Sequence, residues 1–219
     1  MAGAPDWPWL QLRVSPRVLR AFCPVRTLPA KLRLTVGGVG LPRGVVRGGW
    51  DRTNEPLEAH PTYRLMATLL HYEFERDACF EPLVRYYIAR GRGPAAARAH
   101  ARQRIDTYLR DYARLADDLL ARGYRAEPGT RQIGAAIDRA GGWLKVQEGH
   151  HRFALACLRE LDSVVVDLRW MHARWYRAFA APGRSPGAVF RCAAEAAVER
   201  AGSGAGTEEA VGAHDPPEG

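Results

Sequence analysis

The sequence predicts an α+β protein built on a small mixed sheet with packed helices, and three observations predict it. Residues from about Arg131 to Trp175 read as strand, turn, helix and strand. Lys31 to Val36 alternates basic or polar with apolar residues, the period of a half-buried strand. From about Ala95 to Arg122, apolar residues recur every three or four positions, which adds a long amphipathic helix.

Along the chain, residues 1–49 form an irregular N-terminal segment with short strands. Pro5, Pro8, Pro16, Pro24, Pro29 and Pro42 and the Gly37 to Gly40 cluster break it repeatedly. Val45-Val46 is a short strand piece between the turn at Gly44 and the bend at Gly48-Gly49. Residues 50–130 form a helical segment. Pro61 opens a helix to Phe74 with Leu65, Met66, Leu69 and Leu70 on its apolar side, and a second helix covers Phe80 to Ala89. The third carries Ile105, Tyr108, Leu109, Tyr112, Leu115, Leu119 and Leu120 and stops at Gly123, a residue that accepts the left-handed conformation. Its opposite face, rich in Arg, Asp and Gln, reads as a solvated face, with a nucleic-acid surface as the alternative.

Residues 131–180 form the core. Ile133 to Ile137 is a strand, Asp138 to Gly142 a turn, and Trp143 to Gln147 alternates as the second arm of a hairpin. Phe153 to Leu161 suits a helix packed on a sheet, and Val164 to Leu168 is a strand by its branched residues. Ala188 to Arg200 forms one more helix, and residues 203–219 lack periodicity and read as a disordered tail.

The chemistry concentrates at Glu148, Gly149, His150, His151 and Arg152, between the hairpin and the helix. A strand that turns through glycine into a helix leaves the first helical amides without intrahelical partners, and these donors together with the helix dipole favour a bound phosphate. Gly149 permits close approach of a ligand, Arg152 offers a planar fork to two phosphate oxygens, and His150 and His151 donate hydrogen bonds. Glu148 is placed to hold a divalent cation or, with His151, to move a proton. Asp51, His172 and Trp175 are further candidates, with turn capping and packing as their structural alternatives. His60, His71 and His100 show no metal-ligand spacing.

The run Glu148-Gly149-His150-His151-Arg152-Phe153-Ala154-Leu155-Ala156, followed by Leu161 and Val164 to Val166, resembles the G-x-x-R core of the ParB/sulfiredoxin fold. Within that superfamily it is similar to the Asp-Gly-His-His-Arg version of free serine kinases. The Gly48 to Asp51 turn, Leu57 to Tyr63, Gly123-Tyr124, His172 and Trp175 are similar to a branch of ParB-like proteins from bacterial polysaccharide gene regions. The resemblance implies nucleotide binding (ATP, ADP or CTP with Mg), phosphate contacts from Gly149, His150, His151 and Arg152, and a metal or base role for Glu148. It implies a kinase acting on a small hydroxyl compound; a non-catalytic regulatory or DNA-binding module is the alternative. Sulfiredoxins carry a catalytic cysteine where this chain has His150, so sulfinic acid repair is not expected. Partition ParB proteins have Gly-Glu-Arg-Arg at this turn and a helix-turn-helix after it, which the chain past Trp175 is too short to supply.

Composition bounds the remainder. The chain has 219 residues, 47% hydrophobic and 26% charged, enough for one core of ordinary size. The net charge is +8 and the isoelectric point about 9.7. Thirty of the 32 basic residues are arginines, Lys31 and Lys145 being the exceptions. Alanine and glycine are also in excess, the mark of a GC-rich coding bias, so basicity alone does not point to nucleic acid. The tail holds four of the 24 acidic residues, which leaves 20 against 32 basic ones in the rest of the chain, a net +12. Cys23, Cys79, Cys157 and Cys192 show no metal or disulfide spacing, and no signal peptide or membrane span is read, so a cytoplasmic bacterial protein is expected. Its partners are then a nucleotide and a small-molecule substrate, with homo-oligomerisation left open.

Overall fold

A computed structural model describes residues 10–19, 21–24, 41–42, 44–126 and 132–203. The strand expected over Lys31 to Val36, the Gly37 to Gly40 cluster and the tail from residue 204 lie outside the described residues. The architecture is α+β around a mixed sheet.

The sheet is organised on its longest strand. Among the described residues seven strands contribute: β1 (Leu10–Val14), β2 (Ala21–Phe22), β3 (Val45–Val46), β4 (Glu55–Pro56), β5 (Ile133–Ile137), β6 (Trp143–Lys145) and β7 (Val164–His172). Their order is β1-β7-β5-β6-β2-β4, with β3 pairing the far end of β7. β7 runs antiparallel to β1 and parallel to β3 and β5, while β5 and β6 form the antiparallel hairpin. The Val-rich start of β7 is buried from Val164 through Leu168, as expected of a strand covered on both faces. This strand continues four residues beyond the expected Leu168, so His172 is its last residue rather than lying past it. Strands from the N-terminal segment thus enter the same sheet as the 131–180 core.

Among the described residues six helices pack around the sheet: α1 (Pro61–His71), α2 (Arg76–Ala89), α3 (Pro94–Arg122), α4 (His150–Leu158), α5 (Ala173–Ala178) and α6 (Pro186–Gly202). α1 is capped by His60, whose Nδ1 accepts from Thr62 N at 3.3 Å. It ends three residues before the expected Phe74, because Glu73 and Phe74 take φ of 49° and 60°. α2 begins four residues earlier than expected: the Glu75 carboxylate accepts from Asp77 N at 3.0 Å and Ala78 N at 2.6 Å and caps it. α3 matches its expected span to within one residue, and Gly123 ends it with φ 66°. Leu120, expected on the apolar side, is exposed. On the outer face Arg76 pairs with Asp106, Arg98 with Glu81 and Arg122 with Asp118, the arrangement of a solvated helix.

α1 packs on α4, α2 on α3, and α5 on α6. The main core lies between sheet and helices, from Ile133, Val166 and Leu168 to Leu65, Leu69, Phe153 and Leu155. A smaller cluster of Cys23, Val46, Ala136, Leu144, Val146 and Trp170 forms a second apolar group. Trp143 and Trp175 donate their indole N–H groups to Ala197 O at 3.0 Å and Ala193 O at 2.9 Å, which fixes α6. Among the described residues no helix is long and apolar enough to cross a membrane.

Candidate functional site

β6 leads into a tight turn that opens α4. Val146 N donates to Gly134 O at 3.0 Å, after which Glu148 and Gly149 both take left-handed conformations, φ 47° and 67°. Glycine is required at 149 for a second reason: a Cβ there would stand 2.9 Å from Ile133 Cα of β5. Gly134 is equally constrained, since a Cβ would stand 2.5 Å from Gln147 O. Lys145, the last residue of β6, is buried, with 1% of its surface exposed. Its Nζ donates to Val146 O, to Gln147 O at 2.7 Å and to Glu148 O at 2.6 Å. No side chain caps the first turn of α4, and no acidic residue stands in it.

Because successive helical residues are rotated by about 100°, His150, His151 and Arg152 leave the mouth of α4 in three directions. His150 lines a cleft of about 460 Å³ together with Phe22, His60, Arg90, Gln147 and Glu148. Its ring stacks on His60 at 4.7 Å and meets the edge of Phe22 at 5.4 Å. His60 uses Nδ1 as an acceptor in capping α1, so a neutral His60 carries its proton on Nε2. Burial, with the positive charge of Lys145 behind it, holds His150 down to about 2 and His60 down to about 4. Both rings are neutral at physiological pH, and the cationic charge on the rim comes from Arg90, whose Nη1 donates to Tyr86 Oη at 3.0 Å.

His151 faces the helical segment. Its Nε2 lies 2.8 Å from Tyr108 Oη, and its ring stacks on Tyr112 at 4.6 Å. Burial and then Arg90 hold it down to about 4. Tyr108 and Tyr112 also line an open cavity of about 690 Å³ with Arg104 and Gln103. Arg152 turns toward the hydroxyl of Tyr124, which donates to Gln132 Oε1 at 3.1 Å. It is not among the residues lining the 460 Å³ cleft. The four expected phosphate contacts are therefore adjacent in the backbone but divided among three surroundings.

Glu148 belongs to an ion network. Arg169 Nη2 donates to Glu148 Oε2 at 3.1 Å and to Asp167 Oδ2 at 2.8 Å. Asp167 also accepts from Gln11 Nε2 at 3.1 Å and Gln132 N at 3.3 Å, tying the turn to the centre of the sheet. Among the described residues no group of three or more His, Cys, Asp or Glu side chains could hold a metal by themselves.

The remaining candidates are structural. Asp51 is buried and paired with Arg139 of the hairpin turn, accepting from its backbone N at 3.0 Å, Nε at 2.8 Å and Nη2 at 2.6 Å. Burial raises the Asp51 carboxyl, but the Arg139 hydrogen bonds and the nearby His172 outweigh it and leave the group below its usual value. His172 donates through Nε2 to Gly48 O at 2.9 Å while its Nδ1 accepts from Arg174 N at 3.0 Å and caps α5. Trp175 covers Gly141, where a Cβ would stand 2.5 Å from the indole. Sequence reasoning missed His60, Arg90 and Lys145. A capping signal, His-Pro-Thr, marked the first as a helix start only; Arg90 had no local signal, and Lys145 stood out solely as a lysine in an arginine-rich chain. Compared with known proteins, the chain matches no family model, no curated protein and no solved structure.

Proposed function

We propose that this chain is a nucleotide-binding protein of the ParB/sulfiredoxin type, whose phosphates sit at the mouth of α4 and whose reaction is phosphoryl transfer to a small hydroxyl compound. One observation carries the reading: an uncapped helix N-terminus, entered through left-handed Glu148 and Gly149, stands at a cleft of about 460 Å³ with Arg90 on its rim. Amide donors, helix dipole and a forked cation are the groups that favour phosphate oxygens. The reaction asks the protein chiefly to position phosphates and offset their charge, and neutral His60 and His150 add hydrogen-bond donors without further charge. A magnesium ion carried in by the phosphates would meet one carboxylate in the cleft, Glu148, which suits the one or two that such ions take from protein.

The reading is tested by thermal shift and calorimetry with ATP, ADP, CTP and GTP, with and without magnesium. A nucleotide that binds the native state raises its melting temperature. Arg90→Ala is expected to weaken that binding about tenfold, the equivalent of about 1.4 kcal/mol, whereas Arg152→Ala, whose guanidinium turns to Tyr124 outside the cleft, should change it far less. Absence of any nucleotide effect, or native affinity in Arg90→Ala, would overturn it.

A further inference from the structure

We infer that the part of the cleft walled by His60, Thr62 and His150 is a subsite for a polyhydroxyl compound, a sugar or polyol, whose hydroxyl groups pair with the Thr62 hydroxyl and with the ring nitrogens of the two histidines. The inference rests on the reading of this cleft as a substrate site, and it names the class of the hydroxyl substrate.

Thr62 is the second residue of α1 and lines the cleft with only 1% of its surface exposed. Its backbone N–H donates to His60 Nδ1, but its Oγ1 has no hydrogen-bond partner among the described residues. Buried hydroxyl groups are nearly always paired, because an unpaired one forfeits its hydrogen bonds to water. Valine has the same shape without that cost, so packing alone does not call for threonine here. An unpaired hydroxyl in the wall of a cleft points to a partner that enters with the ligand.

The groups beside it are also unpaired, and they are uncharged. His60 Nε2, the ring nitrogens of His150 and the Gln147 side-chain amide have no hydrogen-bond partner among the described residues, and all three residues line the cleft. Of the charged side chains in the lining, Glu148 is held by Arg169 and Arg90 donates to Tyr86 Oη. Burial keeps both imidazoles neutral, each with one donor and one acceptor in the plane of its ring. The two rings stack on each other at 4.7 Å, and Phe22 packs across them in T-shaped contacts at 4.3 Å to His60 and 5.4 Å to His150. That packing uses one face of each imidazole, so the pair offers a ligand its nitrogens more than a platform for a flat ring. A hydroxyl group donates and accepts, as do Thr62, a neutral histidine and a glutamine amide. Several hydroxyls on one ligand therefore satisfy this wall, whereas a carboxylate, which only accepts, would leave its acceptor atoms unpaired.

The test is an NMR titration of the full chain, with isotope-labelled threonine methyls and histidine rings, against glycerol, sorbitol and glucose, and separately against ATP with magnesium. The Thr62, His60 and His150 signals are expected to move with at least one of the three polyhydroxyl probes, and a deoxy counterpart of that probe is expected to bind at least about tenfold more weakly, since it leaves a buried group unpaired. Thr62→Val is expected to weaken the same probe about tenfold, to leave ATP affinity unchanged and to raise the melting temperature of the free chain, because an unpaired buried hydroxyl is removed. Thr62→Ser, which keeps the hydroxyl, should bind as the native chain does. A threonine with only a structural role would give the reverse for Thr62→Val, a lower melting temperature and unchanged affinity. The wild-type titration decides the matter even where a variant fails to fold. If ATP binds but no polyhydroxyl probe moves these three signals, or if Thr62→Val binds the probe as the native chain does, the subsite is refuted and nucleotide binding stands. If a probe moves them but no nucleotide binds, the subsite holds and the proposed function fails. If neither ligand changes the spectrum, both fall.

Discussion

Replacing Gly149 by alanine perturbs the geometry on which the candidate site depends, and its cost can be worked from two separate contributions. Gly149 has φ 67° and ψ 19°, a left-handed conformation that costs an L-residue about 1–2 kcal/mol. The added Cβ would stand 2.9 Å from Ile133 Cα and 3.2 Å from Ile133 N. Those are backbone atoms of a buried strand, so the neighbour cannot rotate aside, and overpacking of this kind adds about 1–3 kcal/mol. The sum, roughly 2–5 kcal/mol, is a large part of the 5–15 kcal/mol that stabilises an ordinary domain. Gly91→Ala is the matched control: Gly91 is left-handed with φ 89°, closes α2, and has nothing within 4 Å of the methyl group that alanine would add, so only the conformational cost applies. Urea unfolding followed by circular dichroism measures both. Equal destabilisation by the two substitutions would refute the close approach of the turn to β5.

Other expectations follow from the same contacts. Arg139→Met leaves the Asp51 carboxylate buried without its ion partner and should cost about 3 kcal/mol by urea denaturation; the contribution of Asp51 is present above its ordinary pKa of 3.8 and is lost as pH falls through the lower folded value. The histidine cluster acts at higher pH. His60, His150 and His151 are held below their ordinary 6.5, to about 4, 2 and 4, so the unfolded chain binds protons first, and stability should fall as pH drops below 6.5. With solvent screening the slope should be about 1–2 kcal/mol per pH unit, and it should flatten in His150→Gln when denaturation midpoints are compared from pH 7 to pH 5. Burial raises Cys23 and Cys79 to about 11 and Cys157 to about 12, so a thiol reagent at pH 8 should label Cys192 before the other three, which become reactive only in denaturant.

Much of the fold was legible because it is encoded locally. The apolar period of α3, the Gly123 stop and the valines of β7 require no knowledge of distant residues. Gly149 likewise marked the turn into α4, although the helix spans His150–Leu158, three residues earlier at each end than the expected Phe153 to Leu161. The ends of elements were less legible. α2 starts at Arg76 because the Glu75 carboxylate folds back on Asp77 and Ala78, and β7 runs on to His172 because β3 extends the pairing along it. Leu120 fits the apolar repeat of α3 yet stays exposed, since the repeat gives a helix face but not the width of the surface that covers it.

The candidate site divides along the same line. By itself the sequence determined that Glu148 to Arg152 stand at a strand-to-helix turn, because glycine, helix periodicity and branched residues act over a few positions. Only the tertiary structure decided that His150 shares a cleft with His60 and Arg90 while His151 turns to Tyr108 and Arg152 to Tyr124. It alone decided that Lys145 is buried beneath the turn. The physical reason is that a helix sends consecutive side chains in different directions, and what each one meets is set by segments far away in the chain.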